Sequence, residues 1–154
     1  MGLISPSDQQ KLRESFAEMT RPVRLWFFTQ TLGCETCLQT RQILDELPPL
    51  SDRIAIEEVN LILEPDWAKT YGVDRAPAVA IAYQDGAQGS ATPGDVWQDS
   101  RIRFLGAPSG YEFMSLVQAV LLAGGRGSRL SAESHTLIAA VNQRVTLQVF
   151  TTPT

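Results

Sequence analysis

The chain has 154 residues, 44% of them hydrophobic and 19% charged; that is enough for one packed domain and too apolar for a disordered one. Its net charge is −4, with 11 Arg, 2 Lys and no basic run, which argues against nucleic acid as a partner. No stretch approaches the roughly 20 apolar residues of a membrane helix, and residues 1–16 lack the basic and apolar regions of a signal peptide. A cytoplasmic protein with no membrane partner is expected.

The first element is a helix. Ser5 can cap it, Pro6 suits its first position, and Asp8 sits where a capping box wants an acceptor. Leu12, Phe16 and Met19 follow at helical spacing, and Arg21-Pro22 ends the run. Val23 to Thr29 (VRLWFFT) is short, apolar and β-rich, the pattern of a buried strand. After a turn at Gly33, a helix is expected from Cys34 or Glu35 to about Leu47, stopped by Pro48-Pro49. Ile54 to Asn60 reads as a second strand, and Pro65 to Tyr71 as a short helix closed by Gly72.

Ala78 to Tyr83 is a strand with Pro77 at its entrance, followed by a turn at Asp85-Gly86. Gln88 to Asp99, rich in Gly, Ser, Thr and Pro, reads as a surface loop. Ile102 to Leu105 can form a strand. A helix from about Tyr111 to Ala123, with an all-apolar late run at Val120, Leu121 and Leu122, should be largely buried. The order α β α β α β β α implies a mixed-sheet α/β sandwich.

Gly124 to Ser128 reads as a linker. Beyond it, Ser131 can cap a helix through Leu137, Ile138 and Val141, and Val145 to Phe150 is strand-like. This tail echoes the head. Phe16, Met19, Val23, Leu25, Phe28 and Thr29 align with Ile138, Val141, Val145, Leu147, Phe150 and Thr151. Either the match is a coincidence of common apolar residues, or the tail starts a second, similar unit. The second reading divides the chain into residues 1–124, which hold the cysteines, and residues 125–154, a linker and the start of that unit.

The two cysteines, Cys34 and Cys37, are the only ones and lie within Cys34-Glu35-Thr36-Cys37. A cysteine where a strand gives way to a helix meets unpaired backbone N–H groups and the positive end of the helix dipole, which favour the thiolate. Cys34 would attack a disulfide, and Cys37, nearly one turn on, would resolve the mixed disulfide. Three readings compete: a redox pair, half of a zinc or iron–sulfur site bridged between chains, or a structural pair. Zinc wants four ligands, and the single histidine, His135, is far along the chain. Glu35 places a negative charge beside Cys34. No proline or histidine separates the cysteines, so Glu35 and Thr36 should tune the pair toward the reducing end of the range. Pro77 is the second candidate, as either a cis or an ordinary trans strand-entry proline. Arg75, beside it, either stabilises the Cys34 thiolate or is solvated. Trp26, Phe27 and Phe28 are expected in the core, and Trp67 and Tyr71 in helix packing.

Several stretches together resemble one family. These are GLIS at the start, the strand ending at CETC, YGVDRAPA, IRFLGAPSGYEFMSL, and the RLS…VTLQVFTTPT tail. The chain is similar to the N-terminal half of the protein disulfide oxidoreductases of thermophilic archaea and bacteria, also called glutaredoxin-like proteins. Members of that family consist of two tandem thioredoxin-fold units, each usually with its own CxxC. A related tandem arrangement occurs in the N-terminal domain of the flavoprotein component of alkyl hydroperoxide reductase.

The resemblance implies a thioredoxin-like three-layer α/β/α sandwich with a mixed four-stranded sheet, plus the first helix and strand of a second such unit. It implies that Cys34 and Cys37 are the N-terminal redox pair, and that Pro77 is a cis-proline whose preceding residue, Ala76, binds the substrate chain through its backbone. It also implies a second CxxC beyond Thr154. The expected activity is thiol–disulfide exchange on protein disulfides, with no resident cofactor or metal. A thioredoxin-reductase-like flavoprotein is the expected electron donor, and a homo-oligomer is possible. The rivals are a noncatalytic scaffold and the bridged metal carrier.

Overall fold

The computed structural model describes residues 2–85 and 96–151. The elements are α1 (Pro6–Phe16), β1 (Val23–Thr29), α2 (Cys37–Asp45), β2 (Ile54–Asn60), α3 (Pro65–Tyr71), β3 (Ala78–Tyr83), β4 (Gln98–Leu105), α4 (Tyr111–Ala123) and α5 (Ala132–Ala139), with a single 3-10 turn at Pro48–Leu50. Through α4 the order is the one expected.

β1 is apolar along nearly its whole length because it lies inside the sheet with both faces covered. It runs parallel to β2 and antiparallel to β3, which runs antiparallel to β4, giving the order β2-β1-β3-β4. Alternation splits β1 between two cores. Val23, Leu25 and Phe27 face one core, with Val79 and Ile81 of β3, Leu12 and Phe16 of α1, Leu44 of α2, and Leu116 and Val120 of α4. Trp26 and Phe28 face the other, against Ala78, Ala80 and Ala82 of β3 and Ala68 and Tyr71 of α3.

The register sets Trp26 beside Ala80 and Phe28 beside Ala78. The small side chains of β3 leave room for the aromatic rings of β1, and Trp67 stacks on Trp26 with centroids 4.4 Å apart. Three helices thus cover one face and α3 the other, so the molecule is a thioredoxin-like three-layer sandwich with a mixed four-stranded sheet.

The local signals explain the element ends. Ser5 Oγ accepts from the Asp8 amide at 3.2 Å with Pro6 at the first helical position, and Gly72 ends α3 with a φ of 63° that suits glycine. Four readings need correction. First, α2 begins at Cys37, because Cys34 to Thr36 form a turn ahead of it. Second, β4 begins at Gln98, so Gln98 and Asp99 are strand rather than loop: they pair with Tyr83 and Ala82 across a bulge, at which Arg101 takes a φ of 64°. Gly86 of the expected turn and residues 88–95 of the expected loop lie outside the described residues.

Third, Leu122 of α4 faces solvent while Val120 and Leu121 are buried, since a helix against one sheet face buries a stripe rather than its circumference. Fourth, Ser131 caps α5 as expected, but α5 stops at Ala139 and Val145 to Phe150 form no strand. A strand needs a neighbour to bond with, and none of the described residues pairs with this segment.

Candidate active site

β1 delivers the chain to the site and α2 carries it away. The strand ends at Thr29, Gly33 turns the backbone with a φ of 72°, and Cys34 to Thr36 lead into α2. Cys34 and Cys37 are joined by a disulfide with their Cα atoms 5.5 Å apart, within the usual range for such a bond. Cys34 is half-buried, whereas Cys37, the first residue of α2, is buried. This is the asymmetry the chemistry requires: one partly exposed cysteine and one sheltered partner.

The first amides of a helix lack intrahelical partners, and the first α2 backbone bond runs from the Thr40 amide to the Thr36 carbonyl at 2.9 Å. Thr36 contributes no side-chain cap. The N-terminal amides of α2 therefore stay available to an anion at the cysteine pair. Thr40, fully buried, donates its hydroxyl to the Thr36 carbonyl at 2.8 Å and fastens the turn from behind.

Pro77 opens β3 after a cis Ala76-Pro77 peptide bond. Its carbonyl accepts from the Gly106 amide at 2.9 Å, which ties the loop to the end of β4. Ala76 is half-buried against the same core as Cys34. Arg75 points elsewhere. Its Nε meets Asp74 at 2.8 Å in an exposed pair. Hydrogen bonding to Asp74 raises the arginine pKa, and the same bond lowers that of the aspartate. Glu35 is exposed beside Cys34.

Beside the disulfide lies a groove of about 350 Å³ whose walls include Phe27, Thr29, Cys34, Cys37, Arg41 and Glu58. Arg41 and Glu58 are its charged members, and they are ion-paired with each other. Sequence reasoning missed both. The signals were present: Arg41 follows Cys37 by four residues, one turn along the same helix face, and Glu58 continues the alternation Ile54, Ile56 along β2.

Among the described residues, no cluster of three or more His, Cys, Asp or Glu side chains is arranged to hold a metal ion. No helix of the described residues is long and apolar enough to cross a membrane.

No family model matches the sequence. The alkyl hydroperoxide reductase protein AhpF of Xanthomonas campestris pv. phaseoli is 33% identical over 134 residues, which are 85% of this chain and 20% of that protein. The NTD_N/C domain of AhpF from Enterococcus faecalis superposes with a TM-score of 0.75 at 29% identity, covering 91% of this chain and 62% of that one. The chain is a homologue of the N-terminal domain of AhpF.

A protein disulfide oxidoreductase from Aeropyrum pernix shares the fold at a TM-score of 0.69 and 23% identity, covering 91% of this chain and 56% of that one. This homologue of the AhpF domain spans a fifth of the length of the Xanthomonas protein. The thioredoxin fold and the Cys34-Cys37 disulfide together fit a CxxC redox site.

Proposed function

We propose that the chain is a thiol–disulfide oxidoreductase that reduces or exchanges protein disulfides through Cys34 and Cys37. The observation that carries this reading is the joined pair at the start of α2, with Cys34 accessible and Cys37 sheltered. In the dithiol state, the Cys34 thiolate attacks one sulfur of a substrate disulfide. The substrate S–S bond breaks, and the other substrate sulfur leaves as a thiolate that takes up a proton. Cys37 then loses its proton and attacks the Cys34 sulfur. The mixed disulfide between Cys34 and the substrate sulfur breaks as the Cys34–Cys37 bond forms, and the second substrate sulfur departs as a thiolate that takes up a proton.

Two electrons have then passed to the substrate, and the protein is left as the disulfide seen here. A flavoprotein reductase resembling thioredoxin reductase is the donor that restores the dithiol in this scheme. Ala76, ahead of the cis Pro77, presents its backbone to the substrate chain in the manner of an added strand, and Glu35 and Thr36 set the reactivity of the pair.

The same reading divides the chain into residues 1–124 as one thioredoxin-like unit, and residues 125–154 as a linker and the beginning of a second. Two observations support the division: the internal repeat, and the exposure of Ile138, Val141, Val145, Leu147 and Phe150, whose aligned counterparts in the first unit are buried.

The test is an insulin-reduction assay with a dithiol donor. Cys34→Ser should abolish turnover, and Cys37→Ser should trap the substrate as a stable mixed disulfide visible by mass spectrometry. Full activity of Cys34→Ser would refute the assignment.

A further inference from the structure

Among the described residues that line the groove beside the disulfide, Arg41 is the cation, and it is anchored from two sides. Arg41 lies one turn beyond Cys37 on α2, where side chains four residues apart are neighbours, about 5–6 Å between Cβ atoms. Its Nε meets the two carboxylate oxygens of Asp45 at 2.8 and 3.0 Å, and its Nη1 meets Glu58. The position of Glu58 follows from register. Ile54, Ile56 and Glu58 stand beside Val23, Leu25 and Phe27 in the parallel pair, so they point to the face that α2 covers. Ile54 and Ile56 extend the core there, and Glu58 ends the row where the sheet meets the groove. Hydrogen bonding to Asp45, above all, raises the Arg41 pKa, so the guanidinium stays charged.

Other charged groups flank the pair less directly. Glu35 is exposed in the turn before α2, and Arg75 is neutralised by Asp74 outside the groove lining.

We propose that Arg41 is the cation that faces the reduced dithiol and favours its thiolate, and that Glu58 is the positioning residue that holds Arg41 in the groove and moderates its field. This inference rests on the redox reading of Cys34 and Cys37. One guanidinium between two carboxylates leaves the cluster with a net negative charge. Together with Glu35, that keeps the pair a reductant rather than a strong oxidant.

The signs are fixed by charge. Arg41→Gln leaves two unopposed carboxylates, and should raise the thiol pKa of Cys34 by about half a unit to one unit, lowering the thiolate fraction near neutrality roughly three- to tenfold. Glu58→Gln should move both quantities the other way and make the pair more oxidising in equilibrium with glutathione. Arg41→Lys should restore most of the wild-type value.

The experiment is thiolate ultraviolet absorbance against pH on the full chain in its dithiol form, with the glutathione equilibrium measured in parallel. Opposite shifts for the two neutralising variants support the proposal. Shifts of the same sign, or none from either variant, overturn it. If Arg41→Gln does not fold, Glu58→Gln alone decides by its sign. A wild-type protein that exchanges with no disulfide at all would sink the redox reading itself, whereas an active wild type with unmoved variants sinks only the role of Arg41 and Glu58.

Discussion

At the scale of single residues, the site is built by pairing polar groups so that few are left to act. Arg75 illustrates this. Adjacent to the cis-proline loop, it stands where a thiolate-stabilising cation would be useful, yet its guanidinium is satisfied by Asp74 in solvent. Exposed pairs of this kind exert weak, screened fields. Arg75→Ala should therefore move the Cys34 thiol pKa by less than about 0.3 of a unit, measured by thiolate absorbance; a larger rise would return Arg75 to the tuning set. Thr40 is the opposite case, a buried hydroxyl with a single partner behind the cysteine turn. Thr40→Val keeps the shape and removes the donor. It should cost about 1 kcal/mol in chemical denaturation while leaving Cys34 reactive. Cys34 and Cys37 were legible as a pair from spacing alone. Arg41 and Glu58 were not, because the ion pair joins a helix to a strand 17 residues later, and only the parallel register brings the two together.

At the scale of elements, the legible parts were those whose sequence pattern is completed by local partners. α1 carries its own cap, α3 its terminal glycine, and β1 an apolar run that only a doubly covered strand needs. β4 was half-legible. Its first residues, Gln98 and Asp99, are polar and follow a loop-like composition, and only pairing with Tyr83 and Ala82 makes them strand. Arg103 then reaches back across the bulge to Asp99 at 2.6 Å and to the Tyr71 carbonyl at 2.9 Å, clasping the irregular strand to the end of α3.

The Arg103 hydrogen bond holds the Asp99 pKa below its ordinary value. A carboxylate with a depressed folded-state pKa binds its proton more readily when unfolded. Its stabilisation is present in full above about pH 4 and fades as pH falls through the folded-state value. Because the Asp99 side chain is 36% exposed, solvent screening limits the contribution to about 0.5 kcal/mol. Asp99→Asn should lower the Tm near neutrality by about 1–2 °C and match wild type in strong acid. Equal losses at both pH values would show that the bulge, rather than the charge, is what Asp99 supports.

At the scale of the molecule, burial among the described residues is confined to the part of the chain that ends with α4. Among the described residues, every core residue lies between Leu12 and Ala123, and α5 buries none. Phe16, Met19, Val23, Leu25 and Phe28 are at most 3% exposed, whereas the aligned Ile138, Val141, Val145, Leu147 and Phe150 are 56–90% exposed. Similar apolar chemistry thus has opposite burial in the two segments, because the first packs in the cores on either face of the sheet and the second is not buried by any of the described residues. A fold cannot draw stability from surface it does not bury. A chain ending at Arg126 should consequently keep its Tm within about 2 °C of the full chain and retain disulfide-exchange activity.

The longer chain should carry the cost of its bare apolar row. Contiguous exposed apolar surface drives association, so sedimentation velocity should show concentration-dependent self-association that the shorter chain lacks. Limited proteolysis should cut first between residues 127 and 151, where backbone and side chains are open to solvent. A Tm lowered by 10 °C or more on truncation, or a protease-resistant tail, would mean that the tail packs on the first unit in solution. The sequence repeat would then describe a strap on one thioredoxin unit, and the division of the chain into one unit and the start of another would be lost.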